Sequence, residues 1–92
     1  MAKQYLHIAF HSVGQPLIKE LEPVFGNLAE DWIRYSGNCW IVWTSNDPNA
    51  WHAALKPHMR PDDQFLILGL KNGIAVGWLP QWIWDWINKP RI

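Results

Sequence analysis

The chain has 92 residues, eight Lys plus Arg against eight Asp plus Glu, 49% hydrophobic residues and only 17% charged ones. A single domain over residues 1–92 is expected at this length, and zero net charge argues against a protein that grips duplex nucleic acid through many phosphates. No apolar run approaches the roughly 18 residues needed to cross a bilayer, no signal peptide opens the chain, and the one cysteine, Cys39, can form no internal disulfide. A cytoplasmic location is therefore expected.

In chain order, Gln4 to Phe10 alternates as a first strand, with Leu6, Ile8 and Phe10 on one face and Tyr5, His7 and Ala9 on the other. Ser12-Val13-Gly14-Gln15-Pro16 reads as a turn with Pro16 opening a helix whose apolar positions are Leu17, Ile18, Leu21, Val24 and Phe25. Pro23 should end that helix early or kink it. A second strand around Trp32 to Tyr35 and a third over Cys39 to Ser45 should form a hairpin about Ser36-Gly37-Asn38. Asn46-Asp47-Pro48 is a helix entry, with Asn46 or Asp47 as cap, and Trp51, Ala54 and Leu55 form the buried stripe. Pro57 should close this helix. After the turn Arg60-Pro61-Asp62-Asp63, the run Phe65-Leu66-Ile67-Leu68 is apolar on both faces and reads as a central strand. Asn72-Gly73 is a hairpin signal that should pair it with a further strand, Ile74 to Trp78. Pro80 to Ile87 suits a short terminal helix, in which Trp82 and Trp86 share a face and Trp84 points away, although the alternating indoles equally suit an edge strand.

This order predicts an α+β domain: a ferredoxin-like βαββαβ plan with an extra C-terminal strand and short helix, both main helices lying on one face of an antiparallel sheet. The second face would be open and apolar, and a homodimer is the simplest way to cover it. Eight tryptophans in so small a chain point the same way, because one small core has limited room for them and each indole N–H needs a partner when buried. Some of these rings should face a ligand or a second chain.

Several stretches resemble the CRISPR-associated protein 2 superfamily, and more closely its small stand-alone SinR-like relatives. They are Trp40 to Thr44, Ala54-Leu55-Lys56-Pro57-His58-Met59 running into Asp62-Asp63, and Gly77-Trp78-Leu79-Pro80 leading into Trp84-Asp85-Trp86. The resemblance implies a ferredoxin-like homodimer acting as a metal-dependent nuclease or a nucleic-acid-binding scaffold. The nuclease depends on an Asp at the end of the first strand, one from each subunit, to hold a divalent metal. Here that position reads Phe10-His11-Ser12, and no carboxylate lies between Met1 and Lys19. The binding half of the repertoire therefore survives better than the catalytic half.

The candidate chemistry is modest. On a strand His7 and His11 stand about 13 Å apart and cannot share an ion within one subunit. His52 and His58 read as surface residues. Cys39 and Ser12 lack the partners or flanking glycines of a nucleophile. Ser12, Gly14 and Gln15, beside a helix start, could meet a phosphate. Trp40 and Trp43 fall on opposite faces of the third strand, so one of them faces the open side, where it could stack a base or pack against a dimer partner. Arg34, Lys71, Lys89 and Arg91 are available cations.

The leading expectation is a non-enzymatic homodimeric protein that binds a nucleotide or short nucleic acid, in a sequestering or regulatory role, through His11, Ser12, Gly14, Gln15, Arg34, Trp40 and Trp43. No catalytic residue, metal, cofactor or membrane partner is expected. The alternatives are a divergent metal-dependent nuclease and a protein-interaction module or inhibitor. A defence or anti-defence gene neighbourhood would favour the sequestering role.

Overall fold

A computed structural model describes residues 2–12, 18–70 and 76–91. Its elements are β1 (Gln4–His11), α1 (Ile18–Leu28), β2 (Asp31–Ser36), β3 (Cys39–Thr44), α2 (Pro48–Leu55), β4 (Gln64–Leu70) and α3 (Gln81–Ile87), with one 3-10 turn at Lys56–His58. The four strands form one antiparallel sheet in the order β2-β3-β1-β4. Each strand–helix–strand unit is split: β3 lies between β1 and β2, and β1 lies between β3 and β4. The described residues thus make a small α+β domain.

Strand alternation sorts the side chains. Leu6, Ile8 and Phe10 of β1, with Trp40 and Val42 of β3, meet Leu21 and Phe25 of α1 and Trp51 and Leu55 of α2 in one buried cluster. Both main helices therefore cover the same sheet face. Aromatic packing holds its centre, where the Phe25 ring stacks on Trp40 at 4.0 Å and 14° and meets Trp51 at 5.2 Å. Pro23 neither ends α1 nor costs it a core contact. Leu21 and Phe25, one turn apart on either side of it, anchor the helix from within, while Lys19, whose carbonyl loses its usual partner, is exposed. In α2, Asp47 is the cap, its carboxylate accepting the Ala50 N–H at 2.8 Å, and Pro48 fills the first turn.

Three expectations change. The Phe65–Leu68 run is apolar on both faces as expected, yet β4 is an edge strand of the described sheet and not a central one. Its helix-side residues Phe65 and Ile67 pack on the core, while Leu66, Leu68 and Leu70 are exposed. The expected extra strand is not seen in its described part, since Val76 to Trp78 is irregular and exposed. The Asn72-Gly73 turn, with Ile74 and Ala75, lies outside the described residues.

The second sheet face is also not wholly open. Helix α3 lies against β2 on that side, with Ile33 and Ile83 buried outside the main cluster. Ile83, and neither Trp82 nor Trp86, is the fully buried residue of α3.

Candidate functional site

The second sheet face divides into a covered end and an uncovered end. At the covered end, Arg91 binds the segment after α3 to the sheet. Its guanidinium donates to the Asp31 carboxylate, to the Tyr5 hydroxyl at 3.0 Å and to the Trp86 carbonyl at 3.0 Å, and it lies 4.4 Å over the Trp86 ring. Tyr5 in turn packs against Trp43 at 4.7 Å and edge-on to Trp86 at 6.0 Å. Burial alone would raise the Asp31 carboxyl, but hydrogen bonding and charge from Arg91, with the Trp32 N–H, hold it below the ordinary carboxylate range. The Trp86 indole N–H lies close to the same carboxylate but outside hydrogen-bond geometry, and it finds no other partner.

A carboxyl depressed on folding stabilises the native state above its unfolded value, near pH 4, and that contribution disappears as pH falls through the lower folded value. The urea midpoint should therefore drop between pH 5 and pH 2.5, and Asp31→Asn should flatten part of that drop. An unchanged pH profile in Asp31→Asn would show that the Asp31 charge contributes nothing to stability.

At the uncovered end, β1 presents His7, Ala9 and His11, β3 presents Cys39, and β4 presents Leu66 and Leu68, with Leu70 further along the strand opposite Tyr5. The pairing sets His7 opposite Leu68, Ala9 opposite Leu66, and Ala9 opposite Cys39. From β2, beyond β3, the Tyr35 side chain reaches His7, and its hydroxyl shares a short hydrogen bond with His7 Nε2, the two rings 5.5 Å apart. Burial pushes the Tyr35 hydroxyl up to about 12, helped by the neighbouring Cys39 thiol, and burial also lowers the His7 imidazole. Burial thus disfavours the charged form of each group.

The sequence-derived site residues do not gather in one place. Trp40 is 1% exposed with Phe25 stacked on it, so its ring has no free face for a base. Arg34 faces the same side, its guanidinium 5.9 Å over Trp40 and bonded to the Gly37 carbonyl at 3.3 Å. Trp43 faces the second side but is half-buried against Tyr5 at the covered end. His11 is exposed on the second face at the far end of β1, about 20 Å from Tyr5 along the strand. Ser12 follows it, and Gly14 and Gln15 lie outside the described residues. Asn38 ties this end of β1 to the β2–β3 turn, exchanging hydrogen bonds with the Phe10 carbonyl at 2.6 Å and the Phe10 N–H at 2.9 Å.

Of the expected cations, Arg91 is engaged by Asp31 and Lys89 lies 3.9 Å from the same carboxylate. Lys71 is outside the described residues. Two indoles remain well exposed, Trp78 at 99% and Trp82 at 56%.

The residues that sequence reading did not single out are Tyr35 and its pairing with His7. The alternation did set His7 on the face away from the core, but its partner comes from a strand two places away, which spacing along the chain does not reveal. Among the described residues no three His, Cys, Asp or Glu side chains come together as a metal site needs, and no helix is long and apolar enough to cross a membrane. No family description, curated protein or solved structure matches the chain.

Proposed function

We propose that the chain is a non-enzymatic, homodimeric binding protein of ferredoxin-like fold. In this reading its uncovered sheet surface, shared between two copies, receives a nucleotide or short nucleic acid. The observation that carries the proposal is the uncovered end of the second sheet face, where a hydrogen-bonded His7–Tyr35 pair sits beside a row of exposed leucines. Apolar surface of that kind is costly to leave in water and marks an interaction site. The split arrangement of both strand–helix–strand units supports the ferredoxin-like assignment.

Membership of the CRISPR-associated protein 2 superfamily belongs to the same proposal and rests on the stretches quoted above. The first strand ends in His11 and Ser12 where a nuclease of that type needs an Asp, which favours binding over cleavage. Tyr35 and His7 offer rings for stacking, and exposed His11 offers a donor at the rim. The leucine row favours a second reading, a module that binds another protein.

Tryptophan fluorescence separates the two, because Trp78 and Trp82 are solvent-exposed reporters. Saturable quenching by nucleotides or cyclic oligonucleotides at micromolar concentration is expected. Tyr35→Ala should weaken it by about 5- to 100-fold, as removal of one stacking ring does. A flat titration across mononucleotides, cyclic dinucleotides and short RNA would overturn the nucleotide reading and leave the protein partner.

A further inference from the structure

Helix α3 has seven residues, fewer than the roughly 12–15 at which a free helix becomes even marginally stable, and Pro80 at its start supplies no capping side chain. It exists because it packs on β2, and Ile83 is its one fully buried residue. The stretch before it, Val76 to Pro80, is irregular and mostly exposed, and a Cβ at Gly77 would meet only the Trp84 ring, at 3.9 Å. After the helix one side chain does the fastening. Arg91, 9% exposed, reaches Asp31 and Tyr5 on the sheet and turns back to the Trp86 carbonyl. Lys89, 62% exposed and 3.9 Å from the same carboxylate, adds little in water.

The closed arrangement also carries a penalty. The Trp86 indole N–H is buried with no hydrogen-bond partner, and water would supply one as soon as the ring is uncovered. The core does not depend on this segment, since no residue after Ile67 belongs to the main buried cluster or packs against it. Beside Trp86 and Arg91 lie Tyr5 and Trp43, on the same sheet face as His7. Tyr5 and His7 are two residues apart on β1, about 7 Å along the strand, so the cover ends where the His7–Tyr35 pair begins.

We infer that residues 76–91 form a hinged strap, latched by Arg91 on Asp31, that lifts off the sheet while the four strands, α1 and α2 stay folded. Opening removes this cover from Tyr5 and Trp43 and extends the surface beside His7 and Tyr35 by two rings. Closed, the strap is an autoinhibitory contact at that end of the face. This use of the opened face as a ligand surface rests on the function proposed above, whereas the opening itself does not.

Native-state hydrogen exchange tests the strap. The amides of Asp85 to Asn88 should share one level of protection, about 100-fold below that of the amides bonded between β1 and β3, with little dependence on dilute urea. Arg91→Ala should speed the α3 group about tenfold, and Asp31→Asn should act in the same direction. Nucleotide binding should tighten in Arg91→Ala by the same factor, because a site that is open for a small fraction of the time binds in proportion to that fraction. If the α3 amides exchange at the rate and with the urea dependence of β1 and β3, the strap is overturned, whatever the protein binds. Separate opening of α3 with a nucleotide affinity unmoved by Arg91→Ala would overturn the autoinhibitory role. Absence of nucleotide binding to both proteins would overturn the ligand reading and that role together, while separate exchange of α3 would still establish the strap.

Discussion

Replacing Trp40 with alanine is expected to destabilise the fold by about 3–5 kcal/mol, the range for removing a large aromatic side chain from a packed core. Trp40 is the pivot between sheet and helices: its ring stacks on Phe25, touches Trp32 at 5.1 Å, and lies beneath the Arg34 guanidinium. The cavity left behind cannot close easily, because Phe25 is also held by Trp51, Phe10 and Trp32. Against a total stability of about 5–15 kcal/mol for a domain of this kind, the loss would leave a substantial unfolded population. The contrast is Trp82→Ala, which removes the same side chain from an exposed position on α3 and should change stability by less than about 0.5 kcal/mol. Guanidinium denaturation of both variants decides the matter, and a Trp40→Ala loss below about 1.5 kcal/mol would mean that the ring is not the core element described here.

The second large effect is expected at Thr44, which is fully buried where α1, β3 and α2 converge. Its hydroxyl donates to the Leu28 carbonyl at 2.8 Å and accepts from the Asn46 N–H at 3.0 Å and the Trp51 indole N–H at 3.3 Å. Valine has nearly the same shape and no hydroxyl, so Thr44→Val keeps the packing and leaves two donors without their acceptor. The Leu28 carbonyl retains the Asn46 side-chain amide at 2.8 Å. At about 1–3 kcal/mol for each buried unpaired group, a loss of about 2–6 kcal/mol is expected. Thr44→Ser keeps the hydroxyl and should lose about 1 kcal/mol or less. Equal urea midpoints for the valine and serine variants would show that the hydroxyl does not hold this junction together.

Thr44 illustrates what the chain did not disclose in advance. Near the end of a strand expected over Cys39 to Ser45 it reads as an ordinary strand residue, and its three partners lie between 2 and 16 residues away along the chain. The entry of α2, by contrast, was legible from Asn46-Asp47-Pro48 to within one residue of its cap, since capping is settled within four residues. The same difference separates the two halves of the candidate site. His7 could be set on the outward face by alternation in β1, whereas the Tyr35 hydroxyl reaches it across β3, and only the strand order brings the two together. Trp40 and Trp43 could be sorted to opposite faces by parity, and it was the packing of α1 and α2 that sealed Trp40 away and of Tyr5 that half-covered Trp43.

Taken alone, the amino-acid order determined what short-range geometry governs: the period of β1 and β3, the turn at Ser36-Gly37-Asn38, the proline-led entry of α2, and an apolar strand after Asp63, while it left Pro80 to Ile87 open between helix and edge strand. Tertiary structure decided which strand stands at the edge of the described sheet, that α3 and the Arg91 segment after it cover part of the second face, and that the leucines of β4 are left facing water. An apolar run reads the same whether its neighbours are strands, helices or a second molecule, because hydrophobic burial is non-directional and registers only how much surface leaves water. Which element does the covering is settled by contacts between residues far apart in the chain, and local pattern carries no record of them.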